Sequence, residues 1–185
     1  MTNSPWQHRR ASGVSDDIDF DIRGEDLQFV EIELDPGESA VAEAGAMVWK
    51  DASIGMTTVF GDGSAADEQG GFMGKLSGAG IRRVTCESLF TTVFTHIGQG
   101  KARVAFAAPT PGTILPLKLD EVGGTLICQK DAFLAAAKGV QVGIEFQRKV
   151  MTGLFGGEGF IMQRLDGDGW VFVQMCCTLT ERDLG

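Results

Sequence analysis

The sequence predicts an all-β fold that is built from an internal repeat, and three observations lead to this prediction. The chain has 26 glycines among its 185 residues, and they interrupt short apolar stretches, which is typical of turn-rich β folds. Several of these stretches alternate apolar and polar residues, as half-buried strands do. The predicted elements also recur in the same order in the two halves of the chain, as expected of a duplication.

The first predicted strand covers residues 27–34. Its apolar residues shift from one alternating set to the other, so we expect a bulge or a change of face there. The Pro36-Gly37 pair that follows predicts a turn. Alternation and turn residues predict further short strands at 39–43, 46–49, 54–59, 87–95, 101–107, 114–119, 124–128, 140–144, 159–165 and 169–179.

Residues 131–138 are the one segment with high helix propensity, because alanines dominate it. Asp131 could cap the N-terminus of a two-turn helix, and Gly139 could follow its C-terminus. The counterpart of this segment in the repeat, residues 45–52, contains Val48 and Trp49 and is typical of a strand and turn. We therefore predict a strand and turn at 131–138, with the short helix as the alternative.

The repeat is visible when the sequence is compared with itself. Residues 39–42 align with 125–128, and residues 46–48 align with 132–134, both at an offset of 86. Later segments align at offsets of 82, 71 and 69, the last of which matches Val104 with Val173. The order of the elements is kept while their spacing drifts, which indicates duplication followed by loop changes.

The repeat sets the predicted domain organisation. We expect a disordered lead-in over 1–18, a first β unit over 19–107 and a second β unit over 108–185. The second unit would end with the first strand of a missing third unit, and that final strand, 170–179, would be an unprotected edge.

An insertion of about eleven residues distinguishes the first unit from the second. It covers residues 75–85, which read KLSGAGIRRVT. A plain surface loop is one interpretation, and a contact with a protein partner or a membrane surface is the other. The predicted contact residues are Phe72, Met73, Lys75, Arg82 and Arg83.

Charge and composition limit the classes of partner that the sequence predicts. The formal net charge is −9 with only 16 basic residues, so we expect no nucleic-acid binding, although the Arg82-Arg83 and Arg148-Lys149 pairs could lie close together. The sequence has neither a long apolar run nor a secretory signal, and its four cysteines have no C-x-x-C spacing. These features predict a cytoplasmic protein with free thiols.

We expect no catalytic, cofactor-binding or metal-binding residues. A metal cupin needs two or three histidines with a carboxylate, whereas this chain has only His8, in the predicted lead-in, and His96, for which a surface or hydrogen-bonded role is expected. Cys86 beside Glu87 has only His96 as a candidate base. Glu87 and Glu158 occupy matching repeat positions, which favours a structural role.

Several motifs together resemble a known family. They are FVEIELDPGE at 29–38, AEAGAM at 42–47, GGTLICQKDAF at 123–133, GGEGF at 156–160 and GDGW at 167–170. The sequence resembles the altered-inheritance-of-mitochondria family of β proteins over roughly residues 19–184, and none of these motifs is catalytic. The resemblance implies a fold similar to that of the tryptophan RNA-binding attenuation protein, a short double-stranded β-helix or jelly-roll-like β-sandwich in tandem units.

The resemblance also implies three units per chain and closure into trimeric rings, and this chain departs from that pattern after about two units. Tryptophan and RNA binding do not carry over, because no ligand-binding residues match. We therefore expect a non-enzymatic, homo-oligomeric β scaffold or binding protein. The alternatives are a cupin-like small-ligand or metal-binding protein and a membrane-surface-associated protein.

Overall fold

The computed structural model describes residues 14–60, 90–129, 131–147, 160–176 and 179–181. Within these ranges the chain forms thirteen β-strands and one 3-10 turn at Ala44–Ala46, which confirms the all-β prediction. The strands are β1 Asp19–Arg23, β2 Phe29–Leu34, β3 Ser39–Ala42, β4 Met47–Lys50, β5 Ile54–Phe60, β6 Phe90–His96, β7 Ala102–Ala107, β8 Thr113–Lys118, β9 Thr125–Gln129, β10 Phe133–Ala137, β11 Gln141–Gln147, β12 Phe160–Asp166 and β13 Trp170–Met175.

These strands pair antiparallel in three sheets. One sheet has the order β1-β2-β7-β4, the second has the order β5-β6-β3-β10-β13-β8, and the third has the order β11-β12-β9. The six-stranded sheet contains strands from both halves of the chain, because β3 pairs with β10 in the register Ala42↔Ala135, Val41↔Ala136 and Ala40↔Ala137. This pairing joins the two predicted units through the backbone.

The pairing pattern of the first half recurs in the second half. Strands β2 and β4 flank β7 as β8 and β10 flank β13. Strands β3 and β5 flank β6 as β9 and β11 flank β12. Even an irregularity recurs, since the β4–β7 register breaks between Met47 and Trp49 and the β10–β13 register breaks between Phe133 and Ala135, 86 residues later.

One predicted alignment differs from the observed registers. Lys50 pairs with Val104, and Ala136, 86 residues further along, pairs with Val171. Val104 therefore corresponds to Val171 and not to Val173, as the sequence comparison predicted. A difference of two residues keeps every side chain on the same face of the sheet, which explains why the hydrophobic pattern alone did not reveal it.

The apolar core spans both halves. Its larger cluster contains Ile32, Phe94 and Phe106 from the first half together with Leu134 and Phe172 from the second half. The rings of Phe94 and Phe106 meet edge to face with centroids 5.0 Å apart, a favoured aromatic geometry. A smaller cluster lies within the second half, around Phe133, Leu165 and Val171.

The first predicted strand has no bulge. Strand β2 pairs with β1 and with β7 without a break from Phe29 to Leu34, so the expected bulge or change of face is wrong. Val30, Ile32 and Leu34 are buried with no exposed area, because strict alternation places them all on the core side. Leu27, which suggested a second apolar set, lies before the strand and is 66% exposed.

The predicted disordered lead-in over 1–18 is wrong for its last residues; residues 1–13 lie outside the described ranges. The Asp16 amide donates to the Lys138 carbonyl at 2.9 Å, and the Asp16 carboxylate accepts from the Ser39 amide at 2.8 Å. Ile18 is buried in the larger core cluster. These contacts tie the N-terminal segment to β3 and to the end of β10.

Residues 133–137 form strand β10, as the repeat comparison predicted, and the alternative helix is not formed. Asp131, the predicted helix cap, has a positive φ of 72° in the turn before the strand. The expectation of an unprotected final strand is wrong, because β13 pairs with β10 on one side and with β8 on the other.

Candidate interaction surface

The predicted partner or membrane contact lies outside the described residues. This applies to Phe72, Met73, Lys75, Arg82 and Arg83, to the 75–85 insertion, to Arg148 and Lys149, and to Cys86, Glu87 and Glu158. The described part of the chain offers a different candidate surface, at strands β4 and β9.

Among the strands that the structure describes, β4 and β9 each end a sheet. Both carry apolar side chains that face solvent, since Val48 is 57% exposed, Trp49 is 38% exposed and Ile127 is 43% exposed. An open strand presents unpaired backbone donors and acceptors to solvent, and apolar side chains beside such an edge favour pairing with another strand. We refer to these two strands as the β4 edge and the β9 edge.

The same repeat positions are buried inside the molecule. Leu134 and Ala135, which correspond to Val48 and Trp49, are 2% and 0% exposed. Val41, which corresponds to Ile127, is likewise fully buried. Leu134 and Ala135 lie in the larger core cluster, and their strand β10 pairs with β3, which carries Val41. The two open edges therefore display the two halves of an interface that the chain forms once internally.

On the β4 edge, a backbone amide points away from the paired strand β7. The Asp51 amide donates to the Arg103 carbonyl of β7 at 2.9 Å. Because successive amides along a strand point to opposite sides, the Lys50 amide points away from β7. The Lys50 side chain turns back on its own segment, where Nζ donates to the Ile54 carbonyl at 2.7 Å.

The β9 edge has the complementary arrangement. The Gly124 carbonyl, just before β9, accepts from the Gly167 amide at 3.0 Å. Alternation then directs the backbone of Leu126 toward β12 and the backbone of Ile127 away from β12. Ile127 and Lys50 are thus the central outward-facing residues of their edges.

Cys128 lies on the β9 edge beside an acidic group. Burial, with a smaller contribution from Glu43, raises the pKa of the Cys128 thiol to about 11. The Glu43 carboxylate accepts from Gln163 Nε2 at 3.3 Å. Near these residues lies a cleft of about 490 Å³ whose lining includes Glu43, Ala46, Gln129, Phe133 and Cys176.

The outer face of the β1-β2-β7 sheet carries a charged network. Asp19 lies directly opposite Glu33, and Asp21 lies directly opposite Glu31, so like charges meet across the strands. Cations offset this repulsion: Lys101 Nζ lies 2.6 Å from Glu33 Oε1, and Arg103 Nη2 lies 2.8 Å from Glu33 Oε2. Hydrogen bonds from Lys101 and Arg103 lower the pKa of Glu33.

His96 differs from its predicted role. It is 1% exposed, and neither ring nitrogen has a hydrogen-bond partner in the described part of the chain. The predicted surface or hydrogen-bonded role is therefore wrong for the side chain. The burial follows from the alternation of β6, in which Phe94 and His96 lie on the same face, and from the close passage of Gly98, where an added Cβ would lie 3.1 Å from His96 Nε2.

Among the described residues no group of three or more His, Cys, Asp or Glu side chains could hold a metal ion. No helix within these ranges is long and apolar enough to cross a membrane. The expectation that the protein has no cofactor stays a prediction.

Comparison with known proteins places the chain in a family. Residues 20–185 match the family model described as mitochondrial biogenesis AIM24. The chain belongs to this family. The match covers nearly the same residues as the resemblance found in the sequence, which confirms that prediction.

The relatives of this AIM24 chain are bacterial. An uncharacterized protein of Streptococcus pyogenes serotype M6 is 36% identical over 141 residues, covering 74% of this chain and 52% of the relative. A crystal structure of a Streptococcus pyogenes protein is similar with a TM-score of 0.58 at 25% identity, covering 85% of this chain and 64% of that one. The chain thus spans about half the length of the curated relative.

The sequence prediction missed the β4 and β9 edges as a surface, although it held a usable signal. The repeat alignment equates Val48 and Trp49 with positions in a strand that pairs on both sides. Apolar residues at equivalent positions of β4 and β10 indicate that the strands of both repeat halves pack against a similar neighbouring strand. The sequence did not show in which repeat half this neighbouring strand is missing from the described part of the chain.

Proposed function

We propose that this AIM24 protein is a non-enzymatic β scaffold that self-associates. The observation that supports the proposal is the exposure of Val48, Trp49 and Ile127 on two strands that end sheets within the described residues, while their repeat counterparts are buried on strands that pair on both sides. Exposed apolar groups beside unpaired backbone atoms gain free energy when another strand covers them.

The charge distribution agrees with a role in protein contacts. A net charge of −9 favours solubility and disfavours binding to the phosphates of nucleic acid. The ion pairs that Lys101 and Arg103 form with Asp19, Glu31 and Glu33 lie on the face built by β1, β2 and β7, while the β4 edge carries the charged residue Lys50, whose Nζ donates to the Ile54 carbonyl of its own segment. Association through the edges would therefore bury few charges, which keeps its desolvation cost low.

Sedimentation velocity of the full chain across micromolar concentrations tests the proposal. We expect the weight-average sedimentation coefficient to rise with concentration above the value of a monomer. Raising the salt concentration should leave the oligomer intact, because apolar contacts and backbone pairing are not screened as surface charges are. A strict monomer at all concentrations would overturn the proposal.

The expected cytoplasmic location and the absence of enzymatic activity belong to this proposal. The alternative of a metal-binding protein is tested by elemental analysis of the purified chain. We expect less than a stoichiometric amount of bound metal. One metal ion per chain that survives gel filtration would favour the metal-binding alternative.

A further inference from the structure

We propose that copies of this chain join head to tail by antiparallel pairing of the β4 edge of one copy with the β9 edge of the next, with Lys50 opposite Ile127. This inference rests on the self-association proposed above, and it adds the strands, the direction and the register. The occupant of each edge is thus a second copy of the same chain.

The register follows from the interface that the chain already forms internally. Strand β3 pairs with β10, and Val41 lies opposite Ala136. Strand β9 is the repeat counterpart of β3, and β4 is the counterpart of β10. Adding the repeat offset of 86 to the position of Val41 gives Ile127, and subtracting 86 from the position of Ala136 gives Lys50. The same shift places Trp49 opposite Cys128.

The backbone directions fit this register. In the internal interface the Lys138 amide donates to the Ser39 carbonyl at 3.0 Å. Hydrogen-bonded pairs recur at every second position of an antiparallel ladder, so Val41 and Ala136 also form a hydrogen-bonded pair. Their counterparts, Ile127 and Lys50, are the residues whose amides point out of the open edges. The free donors and acceptors therefore meet in the proposed register.

The side chains fit as well. Trp49 and Cys128 would form a non-hydrogen-bonded pair, the position of an antiparallel ladder where side chains approach most closely. Their internal counterparts, Ala135 and Ala42, lie in the larger core cluster. A Trp beside a Cys is bulkier than two alanines, so the contact between copies would be more open than the internal one while still covering the exposed part of Trp49.

The association has a defined symmetry. The β4 edge and the β9 edge are different surfaces, so the contact is heterologous. A heterologous contact forms a ring if the rotation between copies closes, and an open chain if it does not. Every copy in a ring would have both edges covered.

Disulfide trapping tests the register. We would replace Cys86, Cys176 and Cys177 by serine, keep Cys128, and introduce Trp49→Cys. A non-hydrogen-bonded pair has a Cα separation of about 4.5 Å, which a disulfide can span. Under mild oxidation we expect dimers and higher species on non-reducing gels, at a rate at least ten times that of the background lacking the new cysteine.

The matched control is Lys50→Cys in the same background. One residue along a strand, its side chain points to the opposite face from Cys128, so we expect no cross-linking above background. Equal cross-linking of Trp49→Cys and Lys50→Cys would show random collision and would overturn the register. An oligomer in sedimentation without Trp49→Cys cross-linking would overturn this inference while leaving the proposed self-association standing.

A proline substitution provides an independent test that leaves the thiols unchanged. Lys50→Pro removes an amide that points away from β7, so the internal pairing of β4 keeps its hydrogen bonds, whereas the proposed pairing loses one. We expect the dissociation constant to rise at least tenfold, with circular dichroism unchanged. Lys118→Pro is the control, since β8 is also an edge strand and the Lys118 amide also points outward by the same alternation.

The results of the two proline substitutions show whether a second copy of the chain pairs with the β4 edge. If Lys50→Pro and Lys118→Pro associate equally well and both keep the native circular dichroism, the β4 edge is not the interface. If the unsubstituted chain is a monomer at all concentrations, both this inference and the proposed self-association fail. If Lys50→Pro loses its fold, the disulfide experiment alone tests the proposed β4–β9 pairing.

Discussion

Glu33 is the side chain at which the charged network can be tested most directly. Lys101 and Arg103 both hydrogen-bond to its carboxylate and lower its pKa below the usual value. A carboxyl with a lowered folded-state pKa adds stability above its unfolded pKa of about 4.3. That stability is lost as the pH falls from this value through the lower folded pKa. Glu33→Gln removes the titrating group, so the variant should be less stable at neutral pH, and the difference should vanish in acid.

Urea unfolding at neutral pH and at several acidic pH values measures this difference. The effect should be small, because the network is partly exposed and screened by salt. Glu25→Gln is the control, since it makes the same change in net charge at an exposed position before β2. A pH-independent difference between Glu33→Gln and the unsubstituted chain would contradict the assignment.

Cys128 should react slowly at neutral pH. Burial raises the pKa of its thiol to about 11, and Glu43 adds to the shift, whereas the thiolate is the reactive form. Labelling with iodoacetamide, read out by peptide mass spectrometry, should be slower at Cys128 than at the exposed Cys176. The Cys128 rate should keep rising with pH up to about 11. A plateau below pH 9 would show an ordinary thiol.

At the scale of elements, the repeat was a better guide than local propensity. The alanines of β10 favour a helix when taken alone, yet the strand is flanked on both sides by β3 and β13. Small side chains suit this position, because Ala135, Ala136 and Ala137 are all fully buried between neighbouring strands. Tertiary pairing overrides propensity here, and the counterpart strand carried the information that the segment itself lacked.

The sequence did not predict every element. Strand β1 was missed because its sequence, DFDIR, places acidic residues on the exposed face, and acidic residues are uncommon in strands. Whether a strand is paired on one side or on both could not be predicted either, since this depends on the order of the strands in the sheets. The family and the fold class could be predicted from patterns within single segments, whereas the β4 and β9 edges required the sheet order.

The N-terminal segment needs two glycines to reach its position. An added Cβ at Gly169 would lie 2.5 Å from Ser15 Cβ, and Gly139 has a φ of 107° beside the same serine. Gly169→Ala should therefore lower the free energy of unfolding by about 1–3 kcal/mol through overpacking, as measured by urea denaturation. Gly45→Ala is the control, because nothing lies within 4 Å of its added Cβ.

A second substitution separates this contact from a general effect on the β12–β13 turn. Ser15→Gly removes the two nearest side-chain atoms that an alanine at 169 would meet, and leaves the Ala137 Cβ at 3.1 Å. The double variant Ser15→Gly, Gly169→Ala should recover part of the loss, giving a coupling between the two sites. Additive losses would show that Ser15 is not the cause.

At the scale of the whole molecule, the two repeat halves should unfold as one unit. The larger core cluster draws on both halves, the β3–β10 pairing joins their backbones, and Phe20 packs edge to face on Trp170 and Phe172. Each half alone would expose this apolar surface to water. A repeat with a self-contained core in each unit would instead unfold in two steps, so cooperativity distinguishes the two cases.

Tryptophan fluorescence can report on each half separately. Replacing Trp6 and Trp170 by phenylalanine leaves Trp49 in the first half, and replacing Trp6 and Trp49 leaves Trp170 in the second half. For each variant the urea midpoint from fluorescence should coincide with the midpoint from far-ultraviolet circular dichroism, since all elements lose structure together. Measurement at low protein concentration keeps association from shifting the midpoints. An early Trp49 transition and a late Trp170 transition, each out of step with circular dichroism, would mean that the repeats are independent folding units joined only by the β3–β10 pairing.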